Sequence, residues 1–103
     1  MVKLIILFRS GVYPAEFDQH YNQFLMMLDE LPDIRKKTVN QVYAGPGGTP
    51  AFSSVIELFF DDREALQAAL LSEEGKISGV FLKNFAAHDS VTLFADALEE
   101  SYE

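Results

Sequence analysis

The chain has 103 residues, a length that fits one domain with a single core. Sixteen acidic residues stand against eight basic ones, and a surface with a formal charge of −8 repels phosphate, so nucleic acid is not expected as a partner. The absence of cysteine excludes a disulfide scaffold, a thiolate nucleophile and a cysteine-ligated metal. Two histidines far apart in sequence are a poor zinc signature, so neither a metal nor another cofactor is expected.

No stretch of the chain has the features of a secretory signal or of a membrane span. The first residues lack a basic segment followed by a long apolar run and a small-residue cleavage site. The longest apolar runs fall well short of the roughly 20 residues that cross a bilayer. The expectation is a soluble, cytoplasmic protein with no membrane partner.

The first half of the chain begins with a predicted strand and helix. Residues 2–9 are β-branched and apolar, and both faces of that strand are apolar at the centre, so both should be covered. A helix is predicted from Phe17, because apolar residues recur at three- and four-residue steps. They are Phe17, Tyr21, Phe24, Leu28 and Leu31. His20 lies roughly 60° to one side of Phe17 on this helix, within the apolar arc.

Two further strands are predicted around a glycine-rich turn. Residues 34–45 contain the second strand, 45–50 the turn and 51–60 the third strand. The turn lacks the lysine and the following helix of a phosphate-binding loop, which favours a hairpin. In the third strand, Phe52 is predicted to share a face with Ile56, and Glu57 is out of place in a strand this apolar. A carboxylate there is paired, protonated or at an edge.

The last third of the chain predicts a helix and a fourth strand. Asp61 and Glu64 resemble a capping box, Gly75 is expected to interrupt the helix before a second short helical piece, and residues 90–95 form the strand. The order β-α-β-β-α-β is the ferredoxin-like pattern of the α+β class, a four-stranded antiparallel sheet with the helices on one face. Residues 1–95 are predicted to form this single domain, followed by an acidic tail over 96–103.

The second face of this sheet would expose apolar side chains to water. They come from the first and third strands: Ile5, Leu7, Val55 and Phe59. An apolar patch of that kind marks an interface. The economical prediction is a homodimer in which two sheets pack face to face.

Four stretches together resemble the EthD family of dimeric α+β barrel proteins. They are "MVKLIILFR", "FDQHYNQFLMMLDELPDIR", "YAGPGGTPAFSSVIELFFDDREALQAALLSEEG" and "NFAAHDSVTLFAD", in the same order as in the family and over nearly the whole chain. The family is associated with bacterial degradation of ethyl tert-butyl ether. Related barrels include small monooxygenases, isomerases and dehydratases, many without a metal. The resemblance implies a ligand cleft between the helices and the sheet.

One departure from the family pattern bears on the chemistry. The first helix of the family commonly reads F-D-x-H-Y-x-x-x-H-x-P-L, and this chain matches at Phe17, Asp18, His20, Tyr21 and Leu28. The second histidine position holds Leu25 and the proline position holds Met27. Any acid/base chemistry of a histidine would therefore rest on His20.

The candidate site residues each have a functional and a structural interpretation. His20 would act as general acid or base, because its pKa lies near the working pH, or it is an imidazole that completes a helix flank. Glu57 would form an acid/base pair with His20, or it is an interface carboxylate bonded to Lys or Arg. Tyr21 would hydrogen-bond a substrate oxygen, and Phe17 and Phe24 would contact an apolar or aromatic ligand.

Three functions are consistent with these observations. The first is a cofactor-free enzyme acting on a small apolar or aromatic metabolite, with His20 as acid/base and Tyr21 as orienting group. The second is a binding or accessory protein that holds such a metabolite unchanged, which the missing second histidine favours. The third is a plain dimerisation module, which predicts no enclosed cavity.

Overall fold

The computed structural model describes residues 1–102. The elements, in chain order, are β1 (Val2–Arg9), α1 (Phe17–Leu28), β2 (Lys36–Gln41), β3 (Phe52–Phe60), α2 (Arg63–Leu71), α3 (Glu73–Ala86) and β4 (Ser90–Asp96). The four strands form one antiparallel sheet in the order β2-β3-β1-β4. This is the predicted ferredoxin-like α+β architecture.

The helix-covered face of the sheet carries the core. In β1 the even-numbered residues are buried, and Phe8 at its end touches four other rings with centroid distances of 5.1–6.4 Å. Those rings belong to Phe17, Tyr21, Phe24 and Phe85. Edge-on aromatic pairs add about 0.5–1.5 kcal/mol each beyond the area they bury. The aromatic cluster thus fixes α1 and α3 against the end of β1.

The opposite face of the sheet, here called the open face, has no helix over it. Ile5, Leu7 and Val55 are only half-buried there, and Leu93 is 48% exposed. Phe59 on the same face is buried, because the ammonium groups of Lys3 and Lys36 lie 5.6 and 5.1 Å from the centre of its ring. The open face therefore leaves an apolar surface, as the sequence predicted from the first and third strands, and Leu93 extends this surface to β4.

The prediction that Phe52 shares a face with Ile56 is wrong, because a β-bulge lies between the two residues. The register between β1 and β3 shifts between Phe8 and Arg9, so Phe8 pairs with Ser54 but Arg9 pairs with Phe52. Phe52 therefore lies with Arg9 on the open face, where the guanidinium sits 5.7 Å from its ring centre. A bulge inserts one extra residue and reverses the alternation beyond it.

The second strand is shorter than predicted. It covers Lys36–Gln41, and Tyr43, which was counted among its apolar residues, is 97% exposed in the hairpin. The hairpin is held to the β1–α1 loop through Ser10, whose backbone NH donates to Ala51 and whose hydroxyl donates to Pro50. These bonds place both loops at the same end of the sheet.

The break between the last two helices lies at Ser72 rather than at Gly75. The Ser72 hydroxyl accepts a hydrogen bond from the backbone NH of Gly75 at 3.1 Å, which caps α3 and places Gly75 in its first turn. The predicted short piece is therefore a 14-residue helix. The fourth strand continues to Asp96, one residue into the segment predicted as tail.

Candidate functional site

A cavity of about 350 Å³ opens between α1 and the sheet. Its walls come from β1, the β1–α1 loop, α1, β2 and β3: Phe8, Gly11, Tyr13, Phe17, Asp18, Tyr21, Asn22, Gln41, Ser53 and Ser54. This α1 cavity has an aromatic interior and an exposed polar mouth formed by Asp18, Asn22 and Gln41. Its size lies within the range that accommodates small organic ligands.

Two hydroxyl groups lie at the buried end of the α1 cavity. Tyr21 Oη and Ser54 Oγ are 2.5 Å apart, and both residues are more than nine-tenths buried. Tyr21 reaches this position because it follows Phe17 by one helical turn, and Ser54 because it lies on the helix-covered face beside Phe8. Sequence reasoning identified Tyr21 but passed over Ser54, because a serine in a strand carries no motif of its own.

His20 lies outside the α1 cavity. Its ring packs 6.0 Å from Phe81 and 5.9 Å from Phe85, and it lines a second cavity of about 490 Å³ between α1 and α3. This helix–helix cavity also contains Glu16 and Asp89. His20 and Tyr21 are thus neighbours in sequence that face different cavities, since one residue turns a helix by about 100°.

The two cavities share a wall made of two stacked rings. Tyr13 and Phe17 lie 4.1 Å apart with an angle of 18° between their planes, and both line both cavities. The Tyr13 hydroxyl donates a hydrogen bond to the backbone carbonyl of Arg9, and burial, together with the charge of Asp89, raises the pKa of Tyr13. Tyr13 therefore stays neutral at physiological pH.

Glu57 lies on the open face, on the other side of the sheet from the α1 cavity. Its carboxylate accepts hydrogen bonds from Lys3 Nζ at 2.7 Å and Thr38 Oγ1 at 3.0 Å, with Asn40 Nδ2 at 3.5 Å. The Lys3 bond holds the pKa of Glu57 below its usual range, although partial burial opposes it. Glu57 is therefore ionised and paired with a lysine, and it does not form a pair with His20.

The predicted ligand contacts divide between the cavity and the core. Phe17 and Tyr21 line the α1 cavity, whereas Phe24 is 1% exposed within the core and lines neither the α1 cavity nor the helix–helix cavity. Tyr13 and Gln41 are cavity residues that sequence reasoning missed, because loop conformation and strand pairing bring them there.

A third depression, the β4 groove, lies between α2 and the edge strand. It measures about 560 Å³ and is lined by apolar residues including Leu66, Leu70 and Phe94, the last being 62% exposed. Its polar boundary is the ion pair between Arg63 and Asp96, at 2.6 Å. Among the described residues that line the groove there is no buried hydroxyl or acidic side chain. The groove therefore provides fewer groups that could orient or convert a ligand than the α1 cavity does.

Residues 1–102, the described part of the chain, contain neither a cluster of side chains that could hold a metal ion nor a helix that could span a membrane. Within that range, no group of three or more His, Asp or Glu side chains is arranged to hold a metal ion. No helix formed by those residues has the length and apolar character needed to cross a bilayer.

The fold is shared with several solved structures. A dimeric ferredoxin-like protein of unknown function from Jannaschia sp. CCS1 superposes with a TM-score of 0.74 at 12% identity, covering 93% of this chain and 98% of that one. A mutant form of SnoaB, a cofactor-independent oxygenase from Streptomyces nogalater, superposes with a TM-score of 0.69 at 18% identity, covering 99% and 97%. The chain therefore has a ferredoxin-like α+β fold.

Sequence similarity narrows this class to a family. No protein-family model matches the chain. An ethyl tert-butyl ether D (EthD) family protein from Bacillus halodurans C-125 is 31% identical, with a TM-score of 0.89 over 95% of this chain and 99% of that one. The chain belongs to the EthD family. An uncharacterized 11.0 kDa protein in the thcB-thcC intergenic region of Rhodococcus erythropolis is 24% identical over 97 residues, 93% of this chain and 94% of the relative.

Proposed function

We propose that this protein binds a small apolar or aromatic metabolite in the α1 cavity and converts it by acid/base chemistry. The observation that carries the proposal is the combination of aromatic walls with the buried Tyr21–Ser54 hydroxyl pair. Aromatic walls bind a planar ligand through apolar contact, and a few fixed polar groups orient it. In this proposal Tyr21 orients the ligand through a hydrogen bond.

His20 would supply the acid/base group from the neighbouring cavity. The stacked rings of Tyr13 and Phe17 line both the α1 cavity and the cavity that His20 lines, and Tyr13 belongs to a loop. A ligand that displaces the Tyr13 ring would contact both Tyr21 and His20. An imidazole is suited to this role because its ordinary pKa lies near neutral pH.

We further propose that the active form is a homodimer that buries the open face. The apolar strip along β1 and β4 favours this assembly, and so does the dimeric state described for the Jannaschia protein of the same fold. The oxygenase activity of SnoaB is an example of small-molecule chemistry without a cofactor on this fold.

A second candidate function is a ligand carrier that leaves the metabolite unchanged. It is favoured by one observation: neither His20 nor Glu57 lines the α1 cavity. In that case the hydroxyl pair and the aromatic walls serve binding alone.

Native mass spectrometry of the purified protein, followed by a conversion assay, tests these proposals. We expect a dimer that carries a discrete additional mass, identified by high-resolution spectrometry. The identified compound is then incubated with the wild-type protein and with His20→Gln. Conversion by the wild type, reduced about 100-fold or more in His20→Gln, supports the enzyme. A compound that is bound by both proteins and never altered identifies a carrier. A protein that carries no additional mass and binds no small aromatic probe contradicts both functions.

A further inference from the structure

We infer that the ligand of the α1 cavity is an uncharged, oxygenated aromatic molecule, and that anionic compounds are rejected. The inference rests on the proposed binding function and specifies its ligand. It follows from three features of the cavity: the spare hydrogen of the hydroxyl pair, the chemistry of the mouth, and the absence of basic residues in the lining.

The hydroxyl pair at the buried end has one proton to spare. Tyr21 and Ser54 each carry one hydroxyl hydrogen, and a single hydrogen bond between them uses one of the two. Within residues 1–102 the remaining hydrogen has no acceptor, since neither oxygen makes another bond. A donor at the buried end needs an acceptor, so a ligand oxygen placed there can take the spare hydrogen, whereas a purely apolar ligand would leave it without a partner. The buried end therefore favours a phenol or carbonyl oxygen.

The mouth of the cavity offers acceptors to a second polar group on the ligand. Asp18 takes part in none of the four ion pairs found among residues 1–102, so its carboxylate is available. Asn22 and Gln41 add amide groups at the same rim. Because Asp18 is exposed, solvent screens its charge, and it changes the affinity for a charged ligand of either sign by no more than about fivefold. An ammonium group has no lone pair that could accept the spare hydrogen of the hydroxyl pair, whereas a neutral oxygen can accept it.

No basic residue balances a negative ligand. None of the eight Lys and Arg side chains lines the α1 cavity or the helix–helix cavity, whereas Asp18, Glu16 and Asp89 line one or the other. Arg9, the basic residue nearest in sequence, has its guanidinium over the Phe52 ring on the open face, and its charge is the smallest of the influences on the pKa of Tyr13. A carboxylate or phosphate would lose water without gaining a cation, which is unfavourable.

The test is a set of dissociation constants for four ligands that share one ring. These are naphthalene, 2-naphthol, 2-naphthoate and 2-naphthylmethylammonium, each titrated at pH 7 into the wild-type dimer by calorimetry. We expect 2-naphthol to bind about fivefold tighter than naphthalene, the value of one ordinary hydrogen bond, and at least about tenfold tighter than 2-naphthoate.

Variants identify the groups responsible. Tyr21→Phe and Ser54→Ala each leave one hydroxyl, so each should keep the preference for 2-naphthol over naphthalene, whereas the double variant should lose it. The double variant should still fold, because apolar groups replace both partners. Asp18→Asn should narrow the gap between 2-naphthol and 2-naphthoate by a few-fold, and the control Glu30→Gln, which removes the same charge from the exposed turn that follows α1, should not.

The outcomes separate the inference from the proposed function. Binding of 2-naphthoate or of the ammonium compound as tight as that of 2-naphthol would overturn the inference and leave a binding protein of another specificity. A double variant that keeps the full preference for 2-naphthol would also overturn it. Failure of all four compounds to bind would contradict the proposed function together with the inference.

Discussion

The Leu93→Glu variant is expected to be a folded monomer. Leu93 lies in β4 on the open face, paired with Ile5, and is 48% exposed in the single chain. In a dimer that buries the open face, two-fold symmetry would place two new carboxylates between the sheets. A single uncompensated buried charge costs about 3–5 kcal/mol, so the dissociation constant should rise by at least about a hundredfold.

Sedimentation velocity over a range of protein concentrations measures this effect. The matched control is Thr92→Glu, which adds the same charge one residue away, at an exposed position on the opposite side of the strand. We expect Thr92→Glu to remain dimeric, and circular dichroism should show that both variants are folded. A Leu93→Glu dimer with unchanged affinity would mean that the protein dimerises through another surface.

Replacement of Gly75 by alanine is expected to destabilise the protein by about 3 kcal/mol, in the upper range for overpacking. Gly75 is buried in the first turn of α3, where that helix passes close to the end of α2. A Cβ atom there would lie 2.2 Å from the carbonyl oxygen of Ala69 and 2.6 Å from that of Leu70. Backbone cannot move aside as a flexible side chain can, so the junction of the two helices must shift.

Gly79 in the same helix provides the matched control. It is exposed, and a Cβ atom there would meet nothing within 4 Å, so Gly79→Ala should stabilise the helix by about 0.5–1 kcal/mol. Urea denaturation of both variants at one protein concentration measures the two free energies of unfolding. If Gly75→Ala leaves the free energy of unfolding unchanged or raises it, the close approach at Gly75 does not limit the packing of α3.

The fold was predictable because its periodic patterns are strong. Alternating and helical apolar spacings indicated the order of strands and helices, and the apolar second face of the sheet was visible in Ile5 and Val55. The features that these apolar patterns could not predict are local ones. The bulge that moves Phe52 and the cap that Ser72 provides each depend on a single backbone register or hydrogen bond.

The candidate site was only partly predictable, for a geometric reason. Tyr21 and Phe17 were found because they belong to the inner stripe of a regular helix. Ser54 and Gln41 come from two other strands, and strand pairing rather than local sequence brings them to the same cavity. Of the two interpretations of Glu57, the structure supports the carboxylate bonded to a lysine. Glu57 and His20 lie on opposite sides of the sheet, which no spacing in the sequence reveals.

In the proposed function, the protein binds its ligand in the α1 cavity and not in the larger β4 groove. The most direct test is a titration of isotopically labelled wild-type protein with 2-naphthol, followed by two-dimensional ¹H–¹⁵N NMR. We predict that the largest shifts occur at the amides of Phe17, Tyr21 and Ser54. Shifts that instead concentrate at Leu66, Leu70 and Phe94 would place the ligand in the β4 groove and contradict the account.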